Sequence, residues 1–163
     1  MQLSINLVCV SAVSSISVSD VFSATYDNYK ILFGCTTTTV GDIDMRFRVS
    51  GADNTTSNYG SVNFIARNDT NRNQQVNQSA AKPLSSGTST THKVISIDIY
   101  DIFSSSKKTK FVGTTAGIGG DVTDTQSGFT GGGFNANTSF TGLTFFVSSG
   151  TITGSVSVFG YSL

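Results

Sequence analysis

The chain has 163 residues and carries ten basic and ten acidic side chains, for a formal net charge of zero. Only 12% of its residues are charged, against roughly 25% in ordinary globular domains. So sparse and balanced a charge excludes the clustered cationic surface that nucleic-acid binding needs, and no apolar run is long enough for a membrane-spanning helix.

All ten acidic residues are Asp, with no Glu and no Trp, while Ser, Thr, Val, Ile and Phe are plentiful. Glu and Lys favour helices, whereas β-branched and aromatic residues favour strands. With 17 Gly and a single proline, Pro83, the chain reads as many strands joined by polar turns. A surface solvated by hydroxyls and amides repels copies of itself weakly, which suits assembly.

The N-terminal "MQLSINLVCVSAVSSISVSD" lacks a basic stretch, and serines break its apolar segment after Val10. It therefore reads as a strand over Ile5–Val10 rather than as a secretory signal. A second strand is expected at Ile16–Val21. "FSATYDNYKILFG" then opens on a turn-like Tyr26-Asp27-Asn28, since Asp and Asn bond locally to backbone. Tyr29, Ile31 and Phe33 follow on one face of a strand ending at Cys35, with Lys30, Leu32 and Gly34 on the other.

"DIDMRFRVS" alternates most cleanly: Ile43, Met45, Phe47 and Val49 face a core, and Asp42, Asp44, Arg46 and Arg48 face away. Further strands are expected at Ser61–Ala66, Val94–Ile102, Lys110–Thr115 and Leu143–Val147. The last, "TITGSVSVFGYSL", sets Ile152, Val156 and Val158 inward. Ser149-Gly150 between the final two strands is a hairpin signal. Three stretches read as long polar or Gly-rich loops: Gly51–Gly60, Asn68–Thr91 and Gly117–Asn137, the last with seven glycines. Loops of this length are usually functional or mobile. The expected fold is one all-β domain over residues 1–163, an antiparallel β-sandwich of jelly-roll-like form.

Chemistry-bearing residues are scarce. His92 is the single histidine, it leads into a strand, and no Gly-x-Ser-x-Gly elbow accompanies it. Asp98 with Asp101, or Asp121 with Asp124, are the available carboxylate pairs for hydrolysis. Asp121 and Asp124 in "GGDVTDTQSG" lack the ligand spacing of a calcium loop. Cys9 and Cys35, free or bridged, fit structural positions, and one histidine is too few for a zinc site. No catalytic residue, metal or cofactor is expected. Lys107-Lys108-Thr109-Lys110 reads as a solvated loop tip or strand edge rather than a phosphate site.

Three segments carry a resemblance: "VFSATYDNYKILFG", "DIDMRFRVSGADNTTSNYG" and "GTITGSVSVFGYSL". Their key positions are Phe22, Tyr26, Tyr29 and Ile31, then Arg46, Arg48, Ser50 and Gly51, then Gly150, Ile152, Gly154, Val156, Val158, Gly160 and Tyr161. In order and spacing the chain resembles the β-rich surface modules of tailed-bacteriophage virions. The resemblance implies a non-enzymatic virion component, assembled in the host cytoplasm, often trimeric, and docked on the major capsid or a tail protein. Strand sequence starting at Met1 leaves no room for an anchoring domain plus shaft. Capsid decoration is the first expectation, and a short tail-associated subunit the second. Phe129 and Phe134, aromatics among glycines, are the expected docking anchors. The alternative is a host-glycan-binding fibre tip, with Tyr26 and Tyr100 as its platform.

Overall fold

The computed structural model describes residues 8–66, 70–88, 90–118 and 125–162. Thirteen strands form two antiparallel sheets with no helix among the described residues. The larger sheet has eight strands, in the order β1 (Val8–Val13), β13 (Ile152–Tyr161), β3 (Asn28–Thr37), β9 (Lys93–Tyr100), β10 (Lys108–Ile118), β11 (Thr125–Asn137), β6 (Tyr59–Ala66) and β7 (Thr70–Gln78). The smaller runs β2 (Ser15–Val18), β12 (Gly142–Phe146), β4 (Gly41–Val49) and β5 (Ala52–Asp53), with β8 (Ala81–Thr88) also paired to β4. The chain crosses repeatedly from one sheet to the other, and the two layers make an antiparallel β-sandwich.

The period of two seen in the sequence places the core. Tyr29, Ile31 and Phe33 of β3 and Ile95, Ile97 and Ile99 of β9 are all buried against Ile43, Met45 and Phe47 of β4. Phe33 stacks on Phe145 across the sandwich, centroids 4.4 Å apart. At one end Phe47, Tyr59, Phe134 and Phe140 form a chain of ring contacts at 4.9 to 5.7 Å. Offset and edge-on rings at these distances add to what burial alone contributes.

Two expected loops are strands. Asn68–Thr91 contains β7 and β8, and Gly117–Asn137 contains the thirteen-residue β11. β7 is an edge strand, so its polar side chains need no apolar alternation. β8 buries Ala81, Pro83 and Leu84, and its pairing with β4 slips twice, an irregular ladder that accommodates a proline. β11 is paired on both sides, by β10 and β6, and this pairing overrides its low intrinsic strand preference. Its glycines let the ladders close: a Cβ on Gly132 would lie 2.1 Å from the Gly60 carbonyl oxygen.

The hairpin signal is also corrected. β12 and β13 lie in different sheets, so Ser149-Gly150 is a crossing between layers. The Ser-Gly pair that does make a hairpin is Ser50-Gly51, joining β4 to β5. Both residues have positive φ, 50° and 79°, the backbone of the tight turn whose twist matches paired strands. The first expected strand is shifted as well: β1 continues to Val13, and residues 1–7 lie outside the described residues.

Candidate interaction face

One face of the eight-stranded sheet covers the core; the other turns outward, and its side chains fall in transverse rows set by the register. One row runs Ser157, Leu32, Ser96, Thr114, Phe129, Phe64 across β13, β3, β9, β10, β11 and β6. The row beside it runs Ser155, Gly34, Val94, Ala116, Ser127, Ala66 on the same strands. Phe129 and Phe64 are direct cross-strand partners and are 68% and 46% exposed. Leu32 and Val94 are exposed beside them, and Val112 and Val62 extend the patch in the next row. Contiguous apolar exposure of this kind marks interaction surfaces on soluble domains.

Between the tall row and the low one lies a groove of about 530 Å³, lined by Leu32, Phe64, Val94, Ala116 and Phe129 with serine and threonine hydroxyls around them. Every residue that lines it is uncharged. At its margin Lys30 and Asp98, direct partners on β3 and β9, form an ion pair at 3.0 Å. The Tyr161 hydroxyl donates to the same carboxylate at 3.2 Å. Burial raises the Tyr161 phenol, helped by the Asp98 charge and by Tyr100.

The expected anchors are thus separated. Phe129 stands on this outer face, while Phe134 is buried in the interior, edge-on to Tyr59 and Phe140. The correction follows from β11 itself: an odd number of residues apart, the two side chains leave an extended strand on opposite faces.

No family model, curated protein or solved structure matches the chain.

Tyr26 and Tyr100 line neighbouring hollows at a different place, near Asp27 and Asp101. Tyr26 is half-buried, lies edge-on to Tyr29 at 6.0 Å and borders a hollow of about 210 Å³ with Asp27, Asp101 and Phe103. Its ring occupies the space above Gly160, where a Cβ would come within 2.1 Å of it. Tyr100 borders a neighbouring hollow of about 390 Å³ with Asp27, Asn28, Asp101 and Lys107. Tyr29 is fully buried, and its hydroxyl accepts from the Ser23 N–H at 2.8 Å and donates to the Ser23 carbonyl at 3.1 Å. "FSATYDNYKILFG" is therefore a corner that ties the loop to β3, with Tyr26 half-exposed beside it.

The remaining candidates fall elsewhere. His92 is exposed and its ring lies beside Gly34 at the groove's edge. Asp98 is committed to Lys30, and Asp101 to Lys107 at 2.9 Å. Asp121 and Asp124 lie outside the described residues, and among the described residues no three His, Cys or Asp side chains gather in a metal-binding group.

Sequence reasoning missed one buried pair. Lys93 and Cys35 are direct partners on β9 and β3, both pointing inward and both shielded from solvent. The Lys93 ammonium donates to the Thr37 hydroxyl at 2.8 Å and to the Thr91 carbonyl at 3.3 Å. Burial lowers its pKa, and burial pushes the free Cys35 thiol up to about 11, with the Lys93 charge pulling the other way. The signal was available, since the inward positions Ile99, Ile97 and Ile95 extrapolate by two to Lys93.

Proposed function

We propose that the chain is a non-enzymatic structural protein of a tailed-phage virion, which self-associates and docks on the particle surface as capsid decoration or as a short tail-associated subunit. The observation that carries this reading is the uncharged, largely apolar groove on the outer face of the eight-stranded sheet, with the exposed Phe129 in its lining. A surface of this type favours stable burial against protein, because apolar area leaves water and no charge needs a partner. The resemblance of the three segments to phage surface modules supplies the particle. The deciding experiment is the copy number of the protein in purified virions relative to the major coat protein. Hundreds of copies mean decoration and a handful mean a tail position. Absence from the particles overturns the reading.

A second reading, a host-glycan-binding fibre tip, is favoured by the Tyr26 and Tyr100 hollows, where aromatic rings and carboxylates adjoin. Its test is glycan-array binding that disappears in Tyr100→Ala.

A further inference from the structure

We infer that the outer face of the eight-stranded sheet is the surface through which the chain binds another copy of itself, with the Leu32–Phe129–Phe64 row of one copy seated in the groove of the next. The inference rests on the self-associating reading above and names its interface.

Three observations select a second copy over other occupants. The first is relief. On β3, β10, β11 and β6 the register sets the larger residues Leu32, Thr114, Phe129 and Phe64 beside the smaller Gly34, Ala116, Ser127 and Ala66, while on β9 the order is reversed, Ser96 beside Val94. A surface that bears a ridge and a matching groove side by side is complementary to itself, so a second copy docks by interdigitation, as facing sheets do in sandwiches.

The second is charge. The groove lining is neutral throughout, and Lys30 and Asp98 at its margin neutralise each other at 3.0 Å. Bringing two such linings together opposes no like charges within the groove and strands no ion there, which is the usual cost of self-contact. The same neutrality argues against a lipid surface or an acidic polymer, since neither would find a cation in the groove.

The third is hydrogen bonding. The lining offers hydroxyls but no carboxylate, amide or guanidinium to orient a polar ligand, whereas small hydroxyl side chains pack readily between sheets.

The test is the mass of the full chain in solution by light scattering and sedimentation, at micromolar concentration. The expected result is an assembly of two or more copies whose dissociation constant rises about 30-fold or more in Phe129→Ser, as loss of a central aromatic anchor does. Phe64→Ser, a second exposed position, should weaken it likewise, while Val49→Ser, exposed on the smaller sheet, should not; far-ultraviolet dichroism verifies that each variant is folded. A wild-type monomer at these concentrations overturns the inference. So does an assembly unaffected by both phenylalanine replacements, but that outcome leaves self-association standing and moves it to another surface. Virion copy number is read separately, so a failed interface and a failed particle assignment are distinguishable.

Discussion

The backbone N–H of Phe47 donates to the phenol oxygen of Tyr59 at 3.0 Å, a bond that crosses from the smaller sheet to the larger. Phe47 sits in the gap between the part of β4 that pairs with β5 and the part that pairs with β8, so Tyr59 supplies the partner that the ladder lacks there. The same hydroxyl donates to the Asn54 carbonyl at 2.9 Å. Burial pushes this phenol up to about 12, so it keeps its proton across the neutral range. Tyr59→Phe keeps the ring contacts and strands the buried Phe47 N–H and the partly buried Asn54 carbonyl. The expected loss is about 1–3 kcal/mol, measured as a lower urea midpoint at unchanged slope.

Phe129 and Phe134, similar in sequence setting, should behave oppositely. Phe134 is buried among aromatic rings, so Phe134→Ala should cost about 3–5 kcal/mol, the range for truncating a core phenylalanine. Phe129→Ala removes an exposed ring and should change the stability of the isolated chain by less than about 0.5 kcal/mol. Thermal denaturation of dilute protein checks both. A large loss in Phe129→Ala would place that ring inside the fold.

Cys35 gives a pH dependence of defined sign. The thiol ionises near its ordinary 9.0 once unfolded, but near 11 in the fold, chiefly through burial. A folded value above the unfolded one contributes stability fully below pH 9 and loses it as pH rises towards 11. Lys93, lowered by burial, has the opposite slope: its unfavourable charge is relieved as it loses its proton. Cys35→Ala retains Lys93 and removes the thiol, so its stability should fall less steeply across that window, by about 2 kcal/mol at the alkaline end. Urea midpoints between pH 8 and 11, compared for the two proteins, measure the difference; parallel profiles would contradict the buried placement of the thiol.

Gln126 of β11 is buried, and neither atom of its carboxamide has a hydrogen-bond partner. An unmet amide costs free energy that an apolar side chain of similar length avoids. Gln126→Leu should therefore raise stability by about 1–2 kcal/mol, seen as a higher melting temperature. A drop would mean that the amide is satisfied in solution.

The fold class was legible because three strands each set three apolar residues at alternate positions. Ile43, Met45 and Phe47, then Ile95, Ile97 and Ile99, then Tyr29, Ile31 and Phe33, each announce a buried face by period alone. β7 and β11 were not legible, and for different reasons. "TNRNQQVNQ" lies at a sheet edge, where nothing forces one side to be apolar. "TQSGFTGGGFNAN" is a strand because neighbours hold it on both sides, which no local pattern records. The outer face was half legible. Leu32 stood out as the one apolar residue on its side of β3, but its alignment with Phe129 and Phe64 depends on a strand order that the sequence does not state. The two serine-glycine turns show the same limit: the pair at Ser50 and the pair at Ser149 look alike, and only tertiary pairing makes one a hairpin and the other a crossing.

Although β13 is the last of the described strands, it lies between β1 and β3 in the larger sheet. During synthesis the ribosome therefore delivers both flanking strands before the one that joins them, and they wait with open edges until residues 152–161 emerge. Closure of the larger sheet around β1 and β3 waits for β13. A truncation or tag that disturbs this segment would leave the edge strand β1 without a bonded neighbour and expose the edge of β3.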